Sequence, residues 1–425
     1  MPASPSQSVL SFEDARRVVE DHASQRSPGA SETVDLVRAA GRILASPVAA
    51  DRDIPPFPRS TRDGYAVRAA DLAQLPVKLT LKGEIKAGPL PGSVPITLNP
   101  GEAFSIMTGA PVPPGADAVV MVEYTSRERD SVEITKQIAS GENIVLQAAE
   151  ANRGSLLLPR GLRLNEAAIA LAASVGKSRL KVYIRPRVAV LATGDEIVDL
   201  DAEVGPSQIR NSNSYSLAVQ IQEAGGDPVL LPIAPDEPVR LRQLIEQGFH
   251  ADLLLMTGGV SMGRYDLVEP VLAEMRAEFL FTGAKIQPGR PVVFGRVPYG
   301  AGAFAGEGRL PESNKYFFGL PGNPVSTMVT FELFARPVIE ALAGMSARPL
   351  TFLHVRLKSE IRVKLGLKRF LPAILSGQYE NTQAELVPWQ GSGDIAARVR
   401  SNCFLVIPPD REHMRAGEWA AVLLR

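Results

Sequence analysis

The stretch RVAVLATGDE, residues 187–196, decides how the centre of this chain folds. After its arginine, RVAVLA is apolar without interruption, as expected of a strand covered on both faces; a half-exposed strand would alternate. TGDE then breaks the run with a glycine and two carboxylates. Further on, SYSLAVQIQEAGG (214–226) has helical spacing and a glycine stop, PVLLPI (228–233) is a second apolar run, DEPVRLRQLIEQG (236–248) a second helix and DLLLM (252–256) a third strand. The helix LVEPVLAEM (267–275), strands around PVVFG and KYFFGL, and the helix VSTMVTFELFARPVIEAL (325–342) complete the series. This alternation predicts a mostly parallel sheet with helices on both faces over residues 186–345. The Gly/Ala/Pro-rich residues 298–314 interrupt it and read as a mobile surface loop.

The flanks have a different texture. Residues 1–51 read as helical: Phe12, Ala15, Val18 and Val19 stand at helical spacing behind Ser11, and Ser31 to Leu44 has the same periodicity. Past the proline-rich DIPPFPRS (53–60), residues 52–146 hold short β-type runs such as VKLTL, AFSIM, DAVVMVEY and VEIT between Pro/Gly clusters, a small β-rich domain. Residues 147–185 are mixed, with LNEAAIALAASVG as a helix and RLKVYI as a strand. The runs FLHVRL, RFLPAIL, CFLVIP and WAAVLL predict an all-β end domain over 346–425. The fold class is therefore multidomain, α/β plus all-β, in keeping with about three domains for 425 residues.

Composition removes several functions. Forty-six Lys plus Arg balance forty-six Asp plus Glu, so no broad positive field exists to grip nucleic acid or acidic lipid. The single cysteine, Cys403, excludes a disulfide framework or a Cys-rich metal site, and the four scattered histidines form no i, i+3 or i, i+4 pair. No uncharged apolar run approaches the roughly 20 residues that span a bilayer. The N-terminal residues show no basic segment followed by an apolar one, so the expectation is a cytoplasmic protein with no nucleic-acid or membrane partner.

In open parallel sheets, ligands bind beyond the carboxyl ends of the strands. RVAVLA is followed there by Thr193, Gly194, Asp195 and Glu196, and PVLLPI by Asp236. DLLLM leads into Thr257, Gly258, Gly259, Val260 and Ser261, with Asp266 behind, and KYFFGL into Pro321-Gly322-Asn323-Pro324. Parallel pairing would collect the carboxylates, a glycine loop and a helix start on one rim. Glycine backbones let N–H groups approach an oxyanion, and carboxylates without His or Cys suit a hard cation such as Mg²⁺ that shares a phosphate. The rim thus points to a phosphorylated ligand held with magnesium. Taken singly, TGG is also a tight turn, and Asp236 and Asp266 are also helix N-caps. The DGY, IMTGAP and QPGRP segments likewise read alone as turns.

Together the words RDGYAV (62–67), IMTGAPVPPGADAVV (106–120), ATGDE (192–196), TGGVSMGRYD (257–266), IQPGRP (286–291), LPGNPVS (320–326) and, more weakly, GSGD (391–394) resemble the molybdopterin molybdenumtransferase family, which includes the E domain of gephyrin. The resemblance runs in the family's order over nearly the whole chain. It implies an L-shaped homodimer, with a helical linker region built from the N-terminal segments and 147–185, a small β domain, a pterin-binding α/β domain and a C-terminal β barrel. The implied reaction is Mg²⁺-dependent insertion of molybdate into adenylylated molybdopterin with release of AMP. A molybdopterin adenylyltransferase and acceptor molybdoenzymes are the implied partners.

By motif, the resemblance implies that Asp63 and Thr108 reach the active cleft from the β domain, toward the partner subunit's site. By the same resemblance Glu196, Asp236 and Asp266 would form the acidic rim, with Asp236 and Asp266 as magnesium ligands. It further implies that Gly194, Asp195, Thr257, Gly258, Gly259 and Ser261 would hold the pterin or its diphosphate, and that Gln287, Arg290, Ser326 and Ser392 would take molybdate. The chain departs from the family where a Lys is Gln287, where another Lys falls at Gly283 beside Lys285, and where an Arg falls at Pro372, leaving Arg369 as a substitute. VLQAAE (145–150) replaces a basic, glycine-containing stretch with only Glu150 in common, and Arg62 stands for a Met. The competing readings are a non-catalytic molybdopterin carrier or scaffold, which would need no magnesium site, and a CinA-like pyrophosphatase on the same scaffold.

Overall fold

The computed structural model describes residues 8–88, 97–259, 267–299, 313–346 and 348–424. At its centre is a six-stranded sheet. Arg187–Ala192 lies between Asp227–Leu230 and Leu253–Thr257, all parallel, and Ser313–Leu320 adds a fourth parallel strand beside Leu253–Thr257. Val293–Tyr299 and Glu278–Phe281 then extend the sheet antiparallel, so it is mixed at that edge. The chain leaves the 187–192 strand toward one side and returns to its other side. That reversal opens a crevice beyond the carboxyl ends of 187–192 and 253–257, the usual ligand position in such sheets. Both sheet faces are covered: Val188, Val190, Leu253 and Leu255 pack to one side, Ala189, Leu191, Leu254 and Met256 to the other.

The strand pairing corrects the expected loop at 298–314. Pro298 and Tyr299 pair with Asn314 and Ser313 as the end of an antiparallel hairpin, and the rest of that segment lies outside the described residues. A second correction concerns the helix over 325–342, which runs as Pro324–Thr330 and Arg336–Leu342 with a π-helical turn, Phe331–Ala335, between them. Pro337 has no N–H to give the ordinary i→i−4 bond, which favours a widened turn just before it.

The N-terminal helix Phe12–Ser24 starts where Ser11 Oγ accepts from Asp14 N, 3.0 Å away. Its Phe12, Ala15, Val19 and Ala23 are buried on one face, and the Phe12 ring lies 5.1 Å from Phe370 and 6.1 Å from Phe334. Burying such a ring contributes about 2–3 kcal/mol and here fastens the α/β domain to the end domain. The second helix expected over Ser31–Leu44 does not form. Ser31–Asp35 is a strand paired antiparallel with Arg179–Tyr183, followed by a single 3₁₀ turn, Leu36–Ala39. Thr33 and Val34 are β-branched, and the Val34–Leu180 pairing buries apolar surface that a local helix could not. Residues 39–48 and 158–182 share one small core.

The small β domain is a six-stranded sheet in the order Ala118–Met121, Gly64–Val67, Glu102–Ile106, Val77–Ile85, Ser131–Ile134, Thr125–Arg127, with a core on each face. The end domain closes a barrel. Lys368–Ser376, Gln383–Leu386, Phe352–Leu357, Trp419–Leu424 and Cys403–Ile407 pair in turn, and the last returns to the first. It is not purely β, since Ile395–Arg400 is a helix capped by Asp394. Ile286–Gln287 leaves the α/β domain to pair with Lys368–Arg369 at the barrel's edge. Among the described residues no helix is long and apolar enough to cross a membrane.

Candidate functional site

The rim begins where the first strand ends. Thr193 N donates to Thr257 O at 3.0 Å and Gly194 N to Ala234 O at 3.1 Å, so the three strand ends are stitched side by side. Asp195 turns back to accept from Asp236 N at 3.0 Å. Glu196 O accepts from Ile209 N, 2.8 Å, which ties the TGDE loop to the segment entering the helix Asn213–Ala224. Asp195, Glu196 and Asp236 therefore stand together. The Asp236 carboxyl is pushed above the usual aspartate range, first by burial and then by the charges of Asp195 and Glu196. Carboxylates that crowd one another, with no cationic side chain between them among the described residues, suit a hard divalent ion. Among the described residues no three His, Cys, Asp or Glu side chains close a metal cage. Mg²⁺ needs no such cage, since it keeps waters and takes one or two carboxylates plus a phosphate. Asp266 and Ser261 lie outside the described residues.

The floor is the Thr257-Gly258-Gly259 turn. Gly258 has φ +90°, and a Cβ there would lie 2.3 Å from Thr193 O, so only glycine lets the two strand ends approach so closely. Opposite, the 321–323 loop comes near enough that a Cβ on Gly322 would touch Gly258 Cα at 3.5 Å. Two further threonines brace it: Thr257 Oγ1 donates to Pro321 O at 3.3 Å, and Thr327 Oγ1 also donates to Pro321 O. Asn213, not singled out from the sequence, donates from Nδ2 to Thr257 Oγ1 (2.9 Å) and to Gly322 O (2.7 Å). NSN at a helix start reads as capping, and Asn211 does cap, accepting from Ser214 N. The second asparagine's long-range bonds leave no local signal.

The other end of the cleft joins the barrel. Val325 N donates to Ser392 O at 3.0 Å, which brings the GSGD loop to the start of the helix carrying the buried Ser326. Gly289, at φ +100°, presses the QPGR turn on that helix: a Cβ would lie 2.3 Å from Thr330 Cγ2 and 3.5 Å from Ser326 O. Arg290 is exposed. Gln287 Oε1 accepts from Arg369 Nε at 2.8 Å. Arg369 is only 5% exposed and donates otherwise to Leu367 O. Burial holds its pKa below the usual arginine value, and among the described residues no carboxylate pairs with it. A buried guanidinium without a counter-charge is costly unless an anion arrives.

Asp63 and Thr108 stand apart on the β domain. Both are exposed, and Asp63 Oδ1 accepts from Thr108 N (2.7 Å) and Thr108 Oγ1 (2.8 Å). Those two bonds hold the Asp63 carboxyl below its usual pKa.

Three family profiles match the chain in order: "MoeA N-terminal region (domain I and II)" over residues 10–176, "Probable molybdopterin binding domain" over 189–341 and "MoeA C-terminal region (domain IV)" over 354–424. A molybdopterin molybdenumtransferase of Nostoc sp. is 37% identical over 403 residues, covering 92% of this chain and 88% of the relative. The chain belongs to the molybdopterin molybdenumtransferase family. Another member, from Bacillus subtilis, is 30% identical over 93% of this chain and 90% of its own. Two crystal structures of the molybdopterin biosynthesis moeA protein of Pyrococcus horikoshii superpose with TM-scores of 0.75 and 0.70, at 26% and 32% identity, each over 98% of this chain. The multidomain α/β-plus-barrel architecture is thus that of the molybdopterin molybdenumtransferase family, whose place is in molybdenum cofactor biosynthesis.

Proposed function

We propose that this enzyme inserts molybdate into adenylylated molybdopterin with Mg²⁺, releasing AMP and leaving molybdenum on the dithiolene. The observation that carries this is the grouping of Asp195, Glu196 and Asp236 beside two glycine loops at the reversal point of the sheet. Glycine loops offer backbone N–H groups to a diphosphate, and a carboxylate cluster beside them suits the cation that a diphosphate shares. Asp236, with Asp266, would hold Mg²⁺, which when bound supplies charge neutralisation at the diphosphate. The 257–259 and 321–323 loops orient the phosphates, while Ser326, Ser392, Gln287 and Arg290 receive the molybdate dianion. The buried Arg369 behind Gln287 supports a positive charge at that end. An oxygen of molybdate, or of water that the bound molybdate directs, attacks the adenylate phosphorus; the phosphoric anhydride bond breaks, the pterin keeps its own phosphate and AMP leaves with the other.

In this reading the chain works in the cytoplasm as a homodimer. The exposed Asp63–Thr108 pair faces the partner subunit's cleft, an adenylyltransferase supplies the substrate and apo-molybdoenzymes take the product. The test is incubation with adenylylated molybdopterin, Mg²⁺ and molybdate, following AMP release and activation of an apo-molybdoenzyme. Release that depends on both ions and vanishes in Asp236→Ala supports the reading. Tight binding of molybdopterin without AMP release at saturating molybdate would replace it with a carrier.

A further inference from the structure

We propose that Asn213 is a positioning residue that sets the distance between the two phosphate-facing loops, so that one side-chain amide governs affinity for the adenylylated substrate. The inference rests on the function proposed above and adds to it a residue outside the glycine and carboxylate motifs. Asn213 is half-buried at the first turn of its helix and spends both hydrogens of its amide on the loops: one reaches Thr257 Oγ1 at 2.9 Å, the other Gly322 O at 2.7 Å. Thr257 Oγ1 in turn donates to Pro321 O at 3.3 Å. A closed ring of donors and acceptors thus runs from the helix to the 257–259 turn, on to the 321–323 loop and back.

Only an NH₂ group can do this. Gly322 O is an acceptor without a proton, so any side chain placed there must donate, and the neighbouring hydroxyl's proton is committed to Pro321 O. Asn213 Oδ1 is buried with no partner among the described residues, so turning the amide over would leave the Gly322 carbonyl facing an oxygen. The ladder between the two strands ends at Thr257–Leu320 and Thr257 Oγ1 ties the turn to Pro321 O; the Asn213 amide carries that tie across the gap one residue further, to Gly322 O. Gly258 and Gly322 bring backbones together without side chains, and each lies just past the end of one of two neighbouring parallel strands. A ligand that takes backbone N–H groups from both loops needs that gap held before it arrives, since ordering it on binding would weaken affinity.

The chemistry of aspartate provides the test. In Asn213→Asp the ionised carboxylate opposes Gly322 O, and that repulsion together with half-burial raises the carboxyl above the usual aspartate value into the range scanned, where the protonated form regains one donor. KM for adenylylated molybdopterin is measured for wild type, Asn213→Ala and Asn213→Asp from pH 8 down to pH 5, with hydrogen exchange of the 257–259 and 321–323 loops. The expected result is a KM at least tenfold higher in both variants at pH 8 with kcat changed less. The Asp variant recovers toward wild type as pH falls, the Ala variant does not, and both loops exchange faster together. A wild-type KM in both variants overturns the proposal, and so does an equal, pH-independent rise in the two, which marks a generally structural residue. Absence of AMP release from wild type itself refutes the proposed function instead, and the loop exchange then still reports on the clamp.

Discussion

Replacing Gly258 with alanine puts the closest backbone approach in the cleft under direct strain. At φ +90° a side chain costs about 1–2 kcal/mol from its own backbone conformation. The added Cβ would sit 2.3 Å from Thr193 O and 3.1 Å from Thr193 Oγ1. Ordinary contact is about 3.5 Å, so the two strand ends must part by about 1 Å. That separation breaks the 3.0 Å bond from Thr193 N to Thr257 O, worth about 1 kcal/mol more. The expected loss is about 2–4 kcal/mol, confined to the parallel sheet because the barrel has its own core. Hydrogen exchange measures it: amides of the 187–192 and 253–257 strands should lose protection by about 30- to 700-fold, one decade per 1.4 kcal/mol. Amides of 403–407 in the barrel are the internal control. Unchanged protection in the two strands would refute the close approach and, with it, the glycine-floored crevice.

Three further outcomes are expected. The raised pKa of Asp236 means that the folded state holds its proton more tightly than the unfolded chain. That contribution is full below the unfolded value of about 4 and lost as pH rises through the folded pKa, so the ionised group is a cost at neutral pH. Asp236→Asn should therefore raise the melting temperature of the metal-free protein at pH 7. Mg²⁺ at ten times its Kd should add about 1.4 kcal/mol of stability to wild type and none to the variant; a variant that still gains it would remove Asp236 from the cation site. Arg369→Met should leave stability within about 1 kcal/mol, because an apolar chain of similar volume replaces a buried charge, yet raise the KM for molybdate about 10- to 100-fold; an unchanged KM would leave Arg369 a purely structural group. Cys403 is buried, donates to Ala373 O and has its pKa pushed up to about 11, so at pH 8 only about 0.1% is thiolate and a disulfide reagent should label it only on unfolding.

The central sheet was legible because its strands are covered on both sides and leave continuous apolar runs, with glycine or proline at their ends. RVAVLA and DLLLM became neighbouring parallel strands for that reason. The Ser31–Leu44 segment misled, since its apolar spacing suits a helix and only the partner strand 179–183, far along the chain, decides otherwise. The expected loop at 298–314 failed at its ends in the same way, because antiparallel partners were needed to make strands of them.

The acidic and glycine residues of the rim could be named from sequence because charge and backbone freedom are properties of single residues. What those residues do to one another could not. The pressure of Asp195 and Glu196 on Asp236, the meeting of Arg369 with Gln287 and the bridge from Asn213 to two loops all depend on contacts between residues 40 or more positions apart. Composition and spacing determined which chemical groups this protein owns and which local structures they prefer. The tertiary structure alone decided which of those groups share a cleft, because electrostatic and hydrogen-bond energies depend on distance in space, and sequence order does not encode it.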